Sequence, residues 1–153
     1  QLSHETKQRF GPHSFDAASI QQLYQQPANH LGFIAFDTAS TSIIAYSIIK
    51  IGFLQHDQQR LESYGLQLSQ TTDCTFAPSV ADAWQSSGVG TAMLQFIKEE
   101  LKQTAVQRII LWGGVQTRNE KAVNYYIKHQ FRILGEFEYN GKNYDMVFDM
   151  QKQ

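Results

Sequence analysis

With 153 residues the chain is long enough for one domain with a core of its own, needing neither metal nor disulfide to hold it together. Thirteen Lys and Arg stand against fourteen Asp and Glu, so charge makes no general case for nucleic acid or an anionic membrane surface as a partner. The single cysteine, Cys74, excludes an internal disulfide and a cysteine-only zinc site, suits a reducing cytoplasm, and is expected to be a small core residue.

Gln1 to Phe10 is polar rather than signal-like, and no apolar run nears the roughly 20 residues of a membrane span. The lack of an initiator methionine suggests a trimmed chain. Leu2 to Phe10 reads as a short helix with Ser3 as N-cap, ended by Gly11-Pro12. A second helix, Phe15 to Gln26, carries Ala18, Ile20, Leu23 and Tyr24 on a broad face, with Gln21, Gln22, Gln25 and Gln26 as its solvated side and Pro27 closing it. Leu31 to Phe36 and Ser42 to Leu54 have strand character and form a hairpin across Asp-Thr-Ala-Ser-Thr. The second run alternates imperfectly, as a central strand does when both faces are buried.

From His56 to Thr72 the chain turns polar, an expected insertion or mobile loop with one helical turn around Gln58 to Tyr64. His56 beside Asp57 has no second histidine at ligand spacing, so a plain surface loop is expected there; His4, His13, His30 and His129 are likewise scattered. Cys74 to Val80 is a strand in which Pro78 removes a ladder donor and implies a bulge or splay.

The stretch from Val80 to Thr104 organises the chain. Its first half turns at Gly88 and Gly90, and its second half spaces Met93, Leu94, Ile97 and Leu101 as one helix face, so a loop feeds a helix. The outward N–H groups and dipole of such a helix start attract phosphate. A P-loop would need Gly-Lys-Ser/Thr, but Gly90 is followed by Thr91 and Ala92; a dinucleotide fingerprint would need a small third residue, but Met93 stands there. Nucleoside triphosphate and NAD are therefore not expected. Downstream, Gln107 to Val115 reads as a buried strand, Asn119 to Gln130 as a helix, and Arg132 to Tyr139 with Lys142 to Met150 as a closing hairpin about Asn140-Gly141. The order predicts an α/β domain with a mixed sheet.

Gln85-Ser86-Ser87-Gly88-Val89-Gly90 resembles the pyrophosphate loop of the GNAT superfamily of acyl-CoA-dependent N-acetyltransferases, whose pattern is Q/R-x-x-G-x-G/A. That family's downstream pattern N-x-x-A-x-x-x-Y-x-x-x-G-F is met by Asn119, Ala122, Tyr126 and Phe131, with Gln130 where glycine is usual. Ser3-His4-Glu5-Thr6 with Arg9-Phe10 is a weaker match to the entry of some members. The resemblance implies a single N-acetyltransferase domain over 1–153, its mixed, mostly antiparallel central sheet splayed at the acetyl-CoA site and flanked by helices. It implies acetyl transfer from acetyl-CoA directly to a primary amine, on a small molecule or on a peptide or protein. A homodimer is admitted; nucleic acid, membrane and metal are not expected.

Carried over residue by residue, the cosubstrate site comprises Val80, Gln85, Ser86, Ser87, Gly88, Val89, Gly90, Thr91 and Asn119. The Val80 backbone N–H is the oxyanion donor. Asn119 holds the pantetheine region or caps its own helix. Tyr126 is the acid toward the leaving thiolate, with Tyr125 as the fallback. Many relatives place a glutamate on the strand before the loop, whereas Cys74 to Ser79 holds no carboxylate; Asp73 and Glu62 are the nearest acids, and the general base is left unassigned. Two other classes stay open: a non-catalytic acyl-CoA-binding regulatory module, and a nucleotide-binding regulator using the same helix end.

Overall fold

Helix α4, Val89–Lys102, shows most directly how this sequence sets its own structure. Met93, Leu94, Ile97 and Leu101 recur at the spacing of one face, and these are the residues it buries. Each such side chain removed from water contributes roughly 1.5–3 kcal/mol, which outweighs what the glycines at its start cost in propensity. The computed structural model describes residues 2–25 and 29–150. The closure by Pro27 and the placing of Gln26 thus lie outside the described residues.

The elements in chain order are α1 (His4–Arg9), α2 (Ala17–Gln25), β1 (His30–Asp37), β2 (Ser42–Ile51), α3 (Gln58–Ser63), β3 (Asp73–Val80), α4, β4 (Arg108–Leu111), β5 (Val115–Gln116), α5 (Glu120–Lys128), β6 (Arg132–Glu138) and β7 (Lys142–Asp149). The result is an α/β domain with a mixed, mostly antiparallel seven-stranded sheet in the order β1-β2-β3-β4-β7-β5, with β6 on β7, flanked by helices. By backbone proximity the chain falls into two compact units, Gln1–Lys50 with Phe76–Thr104, and Ile51–Thr75 with Ala105–Gln153.

In the first unit Ser3 caps α1 by accepting from the Thr6 N–H, as its position predicts. Strands β1 and β2 pair antiparallel with a register shift between Ala35 and Phe36. Ile44, Ile48, Ile49 and Phe76 are buried in this unit, as is the apolar face of α4, whose Met93 sulfur accepts from the Ser47 hydroxyl. The first link of β2 to β3 is the Ala81 N–H donating to the Ile44 carbonyl at 2.8 Å.

The second unit corrects two expectations. Gln107 to Val115 is not one strand, because Gly113 and Gly114 both take positive φ and divide it into β4 and β5, which pair with β7 at separate places. Nor does His56 to Thr72 stand off as a mobile loop. Leu61 is 1% exposed and joins Phe53, Ile110 and Val147 in a core cluster against which Tyr64, Leu66 and Leu68 pack. Arg60 donates to Asp145 from Nε at 2.7 Å and to Asp57 from Nη1 at 2.9 Å, and its guanidinium stacks 3.8 Å from the Phe137 ring centre. Arg108 grips Asp73 from Nε and Nη2 and also donates to the Gln67 carbonyl at 2.7 Å. His56 itself is exposed, and among the described residues no group of three His, Cys, Asp or Glu is placed to hold a metal.

Candidate active site

Alternation along β3 settles the direction of its backbone donors. Ala81 N–H bonds to β2, so the N–H of the residue before it turns the other way, and so does the vacant donor position two residues earlier. Those residues are Val80 and Pro78. Gly52 N–H to the Asp73 carbonyl closes the other end of the same pairing, eight residues along each strand from Ala81 and Ile44. The bulge that Pro78 led one to expect is therefore absent on the β2 side. Proline is tolerated because its missing N–H points away from that ladder.

Past Val80 the chain makes a short turn at Asp82–Trp84 and then the loop that enters α4. Gln85 Nε2 donates back to the Val80 carbonyl at 3.3 Å and to Asp82 Oδ1 at 3.2 Å, and Ser87 Oγ donates to the Trp84 carbonyl. Ser86 has φ 60° and Gly88 φ 89°, both left-handed. Gly88 is the N-cap of α4, a residue with no side chain of its own to bond the first turn. A Cβ at Gly88 would have nothing within 4 Å. The fourteen-residue helix thus starts at the exit of a tightly wound loop, and the backbone at Gly88 is open on the side where a Cβ would stand. This geometry fits a pyrophosphate.

Asp82, which sequence reasoning passed over, is the hub of this loop. Its carboxylate accepts from the Ser3 N–H at 2.9 Å and the Thr6 hydroxyl at 2.7 Å as well as from Gln85. The Thr6 and Ser3 hydrogen bonds hold its carboxyl below the usual range. The signal was the Ser3–Thr6 capping pair, legible in itself but silent about a partner some eighty residues away.

In the second unit Asn119 is the N-cap of α5, accepting from the Ala122 N–H at 3.3 Å. The capping reading of Asn119 is thus realised. Tyr126 is 8% exposed and packs edge-on against Tyr125 and Phe131, with ring centres 5.2 and 5.3 Å away. Burial, then the neighbouring Tyr125, raises its phenol well above the ordinary value. The helix closes in a Schellman arrangement: Phe131 N–H reaches the Tyr126 carbonyl and Gln130 N–H the Ile127 carbonyl. Gln130 takes φ 68°, so it adopts the left-handed conformation for which glycine is usual at this place.

The acids near the loop in sequence are otherwise engaged. Both oxygens of Asp73 are held by Arg108, and Oδ2 also accepts from the Ser69 N–H. Glu62 is exposed and accepts from Gln58. Cys74 is fully buried, and burial followed by the Asp73 charge raises its thiol far above the reactive range. The structure therefore brings Val80, Asp82, Gln85 and Ser87 together in the first unit, and in the second it puts Asn119 at the start of α5 and Tyr125 and Tyr126 near its end.

Solved structures share this architecture. The GNAT domain of S. lividans PAT superposes with a TM-score of 0.71 at 19% identity, covering 97% of this chain and 79% of that one. The Salmonella typhimurium protein yncA, with its cofactor acetyl-CoA, gives 0.69 at 12% identity over 94% and 79%. The ribosomal-protein-S18-alanine N-acetyltransferase of Escherichia coli gives 0.63 at 16% identity over 96% and 84%. No curated protein matches the chain in sequence. The profile of the acetyltransferase (GNAT) family matches residues 4–131, and the chain belongs to that family.

Proposed function

We propose that the protein is a one-domain, cytoplasmic N-acetyltransferase that carries the acetyl group of acetyl-CoA directly to a primary amine. The observation that carries this is the loop from Gln85 into α4, left-handed at Ser86 and Gly88, where a Cβ at Gly88 would meet nothing within 4 Å and the backbone is open to a ligand's approach. Gln85 to Thr91 would hold the pyrophosphate, the Val80 N–H would meet the carbonyl oxygen as charge develops there, and Asn119 would add to the pantetheine contacts. Acetyl-CoA supplies an activated acyl group; the chain's own residues orient it and stabilise charge. A donor aimed at a developing oxyanion is typically worth 10²–10³ in rate.

Tyr126 takes the leaving side. Its raised pKa keeps the phenol protonated near neutral pH, so it donates a hydrogen bond to the departing sulfur. Complete transfer from a phenol of pKa about 10 to the thiolate of a thiol of about 8.5 is uphill by roughly 2 kcal/mol, and burial adds to that. Tyr126 therefore stabilises the thiolate while the C–S bond breaks, and solvent completes the protonation. A buried, unreactive Cys74 favours direct transfer over an acetyl-enzyme.

Two measurements test this reading. Acetyl-CoA at 100 times its dissociation constant should add about 2.7 kcal/mol of stability, seen as a rise in melting temperature. Thiol release should then be followed over amines, amino acids, aminoglycosides and peptides with a free N-terminus. Tyr126→Phe should keep the melting shift and lose roughly 10²- to 10⁴-fold in turnover. Damage from Tyr125→Phe instead would move the role one residue back. The rival reading, an acyl-CoA-binding regulatory module, draws on the absence of a carboxylate from Cys74 to Ser79; it predicts the melting shift with no thiol release under any acceptor.

A further inference from the structure

One face of the first unit carries a hydrogen-bonded chain that the acetyl-transfer residues above leave unused. His13 Nδ1 lies 2.9 Å from the Ser14 carbonyl. A carbonyl only accepts, so Nδ1 carries the proton and the neutral ring offers Nε2 as an acceptor. Nε2 is 3.0 Å from the Tyr46 hydroxyl, which must then donate to it. The Tyr24 hydroxyl, 2.6 Å from that of Tyr46, donates in turn. The order Tyr24 to Tyr46 to His13 is thus fixed by a backbone carbonyl.

The chain is built into the fold. Phe10 and Phe15 wall the imidazole with ring centres 5.1 and 5.5 Å away. Gly32 makes the room, since a Cβ there would sit 2.5 Å from the Tyr24 hydroxyl oxygen. His13 opens onto a cleft of about 450 Å³ lined also by His4, Lys7, Gln8 and Phe15.

A second observation points from this chain toward Val80. Ala81 stands opposite Ile44, so two residues back Ser79 stands opposite Tyr46, and residues directly opposite share a face with Cβ atoms roughly 4.5–5.5 Å apart. Ser79 is 7% exposed, and its hydroxyl is the buried side-chain polar atom without a hydrogen-bond partner among the described residues. Buried hydroxyls are rarely left so, and one beside the Val80 backbone has the character of a ligand contact.

We propose that Ser79 and Tyr46 receive the acceptor amine and that its proton leaves through Tyr46 to His13. This rests on the acetyl-transfer reading and supplies the base that the sequence leaves unassigned. The amine nitrogen forms the N–C bond to the acetyl carbon as the C–S bond breaks and its electron pair departs with sulfur. The nitrogen's proton passes to the Tyr46 oxygen while Tyr46 passes its own proton to His13 Nε2, and His13 returns it to solvent through the cleft. Burial and Tyr24 hold the Tyr46 phenol above its ordinary value, so the proton is relayed in one movement and no free phenolate is formed.

The first test needs no acceptor. In the acetyl-CoA-free protein, ¹⁵N NMR should find the His13 proton on Nδ1, with an Nε2 shift that moves in Tyr46→Phe; a proton on Nε2 would reverse the chain and end the proposal. The second measures thiol release from acetyl-CoA, using the best amine of the panel and water where no amine serves. Tyr46→Phe and His13→Ala should keep the acetyl-CoA melting shift yet lose turnover by roughly 10²- to 10⁴-fold. Added imidazoles should restore His13→Ala in order of their basicity, which a merely filled cavity would not reproduce. Variants as active as the parent would sink the relay and leave the acetyltransferase reading standing. Loss of the melting shift together with turnover would make the cluster packing only and overturn the relay. A parent that binds acetyl-CoA but never releases thiol would fail the enzyme reading and the relay with it.

Discussion

The loop from Gln85 to Thr91 and the segment from Asp57 to Thr72 look alike in the chain, both polar, both with glycine, both between regular elements. They are held in opposite ways. The second is fastened by guanidinium–carboxylate pairs whose acids, Asp73, Asp57 and Asp145, are 1%, 5% and 1% exposed. The first is wound by its own short-range bonds and by Asp82, and at Gly88 a Cβ would meet nothing within 4 Å. Polarity in sequence thus conceals a difference between a segment pinned by buried ion pairs and a loop wound on its own short-range hydrogen bonds.

The largest expected effect would come from undoing the fastened segment. Arg60→Leu strands Asp145 and Asp57 without their cation, and breaking a buried pair in this way should cost about 3–5 kcal/mol in a denaturation measurement. The acetyl-CoA melting shift should survive in whatever protein folds. A mild loss, under about 1 kcal/mol, would place this network with surface pairs and erase the contrast.

Next in size is Gly88→Val. It forces a branched residue to φ 89° and puts methyl groups into the open space, so the roughly 2.7 kcal/mol of acetyl-CoA stabilisation at 100 times the dissociation constant should vanish. If the variant responds like the parent, the phosphate site is elsewhere. A smaller change of opposite sign is expected from Gln130→Gly, which relaxes a left-handed residue where the backbone is already closed by hydrogen bonds. It should raise stability by roughly 1 kcal/mol and leave acetyl-CoA binding alone, as measured by parallel melts.

The last effect concerns pH. Burial and then Asp145 push the Tyr64 phenol up to about 12 in the folded chain, against 10.0 ordinarily. A raised folded value means that the stabilisation is complete below the unfolded pKa and is lost as pH climbs from about 10 toward 12. Tyr64→Phe should flatten that part of a stability-against-pH curve; an unchanged slope would detach Tyr64 from the Asp145 network.

How far the site was legible depended on how local its causes are. Gly88 and Gly90 sit within a turn of the apolar face that follows, so spacing announced a loop feeding a helix, while Asn119, Ala122, Tyr126 and Phe131 were picked out by their resemblance to the family pattern. Asp82 and the Tyr24–Tyr46–His13 chain were silent, since each takes its meaning from partners distant in sequence, and so was Ser79, whose lack of a partner among the described residues shows only once its surroundings are assembled.

By itself, then, the sequence determined most of the helix and strand order and the buried face of α4, because periodicity, caps and turn residues act within a few residues of where they stand, and its resemblance to the family pattern marked Gln130 as a place where glycine is usual. Only the tertiary structure decided that the polar stretch after His56 is core-bound, that Gly113 and Gly114 break a strand, and that Pro78 leaves the β2 register intact. Those outcomes depend on hydrogen bonds and ion pairs between distant residues, whose strength comes from burial that no local pattern encodes.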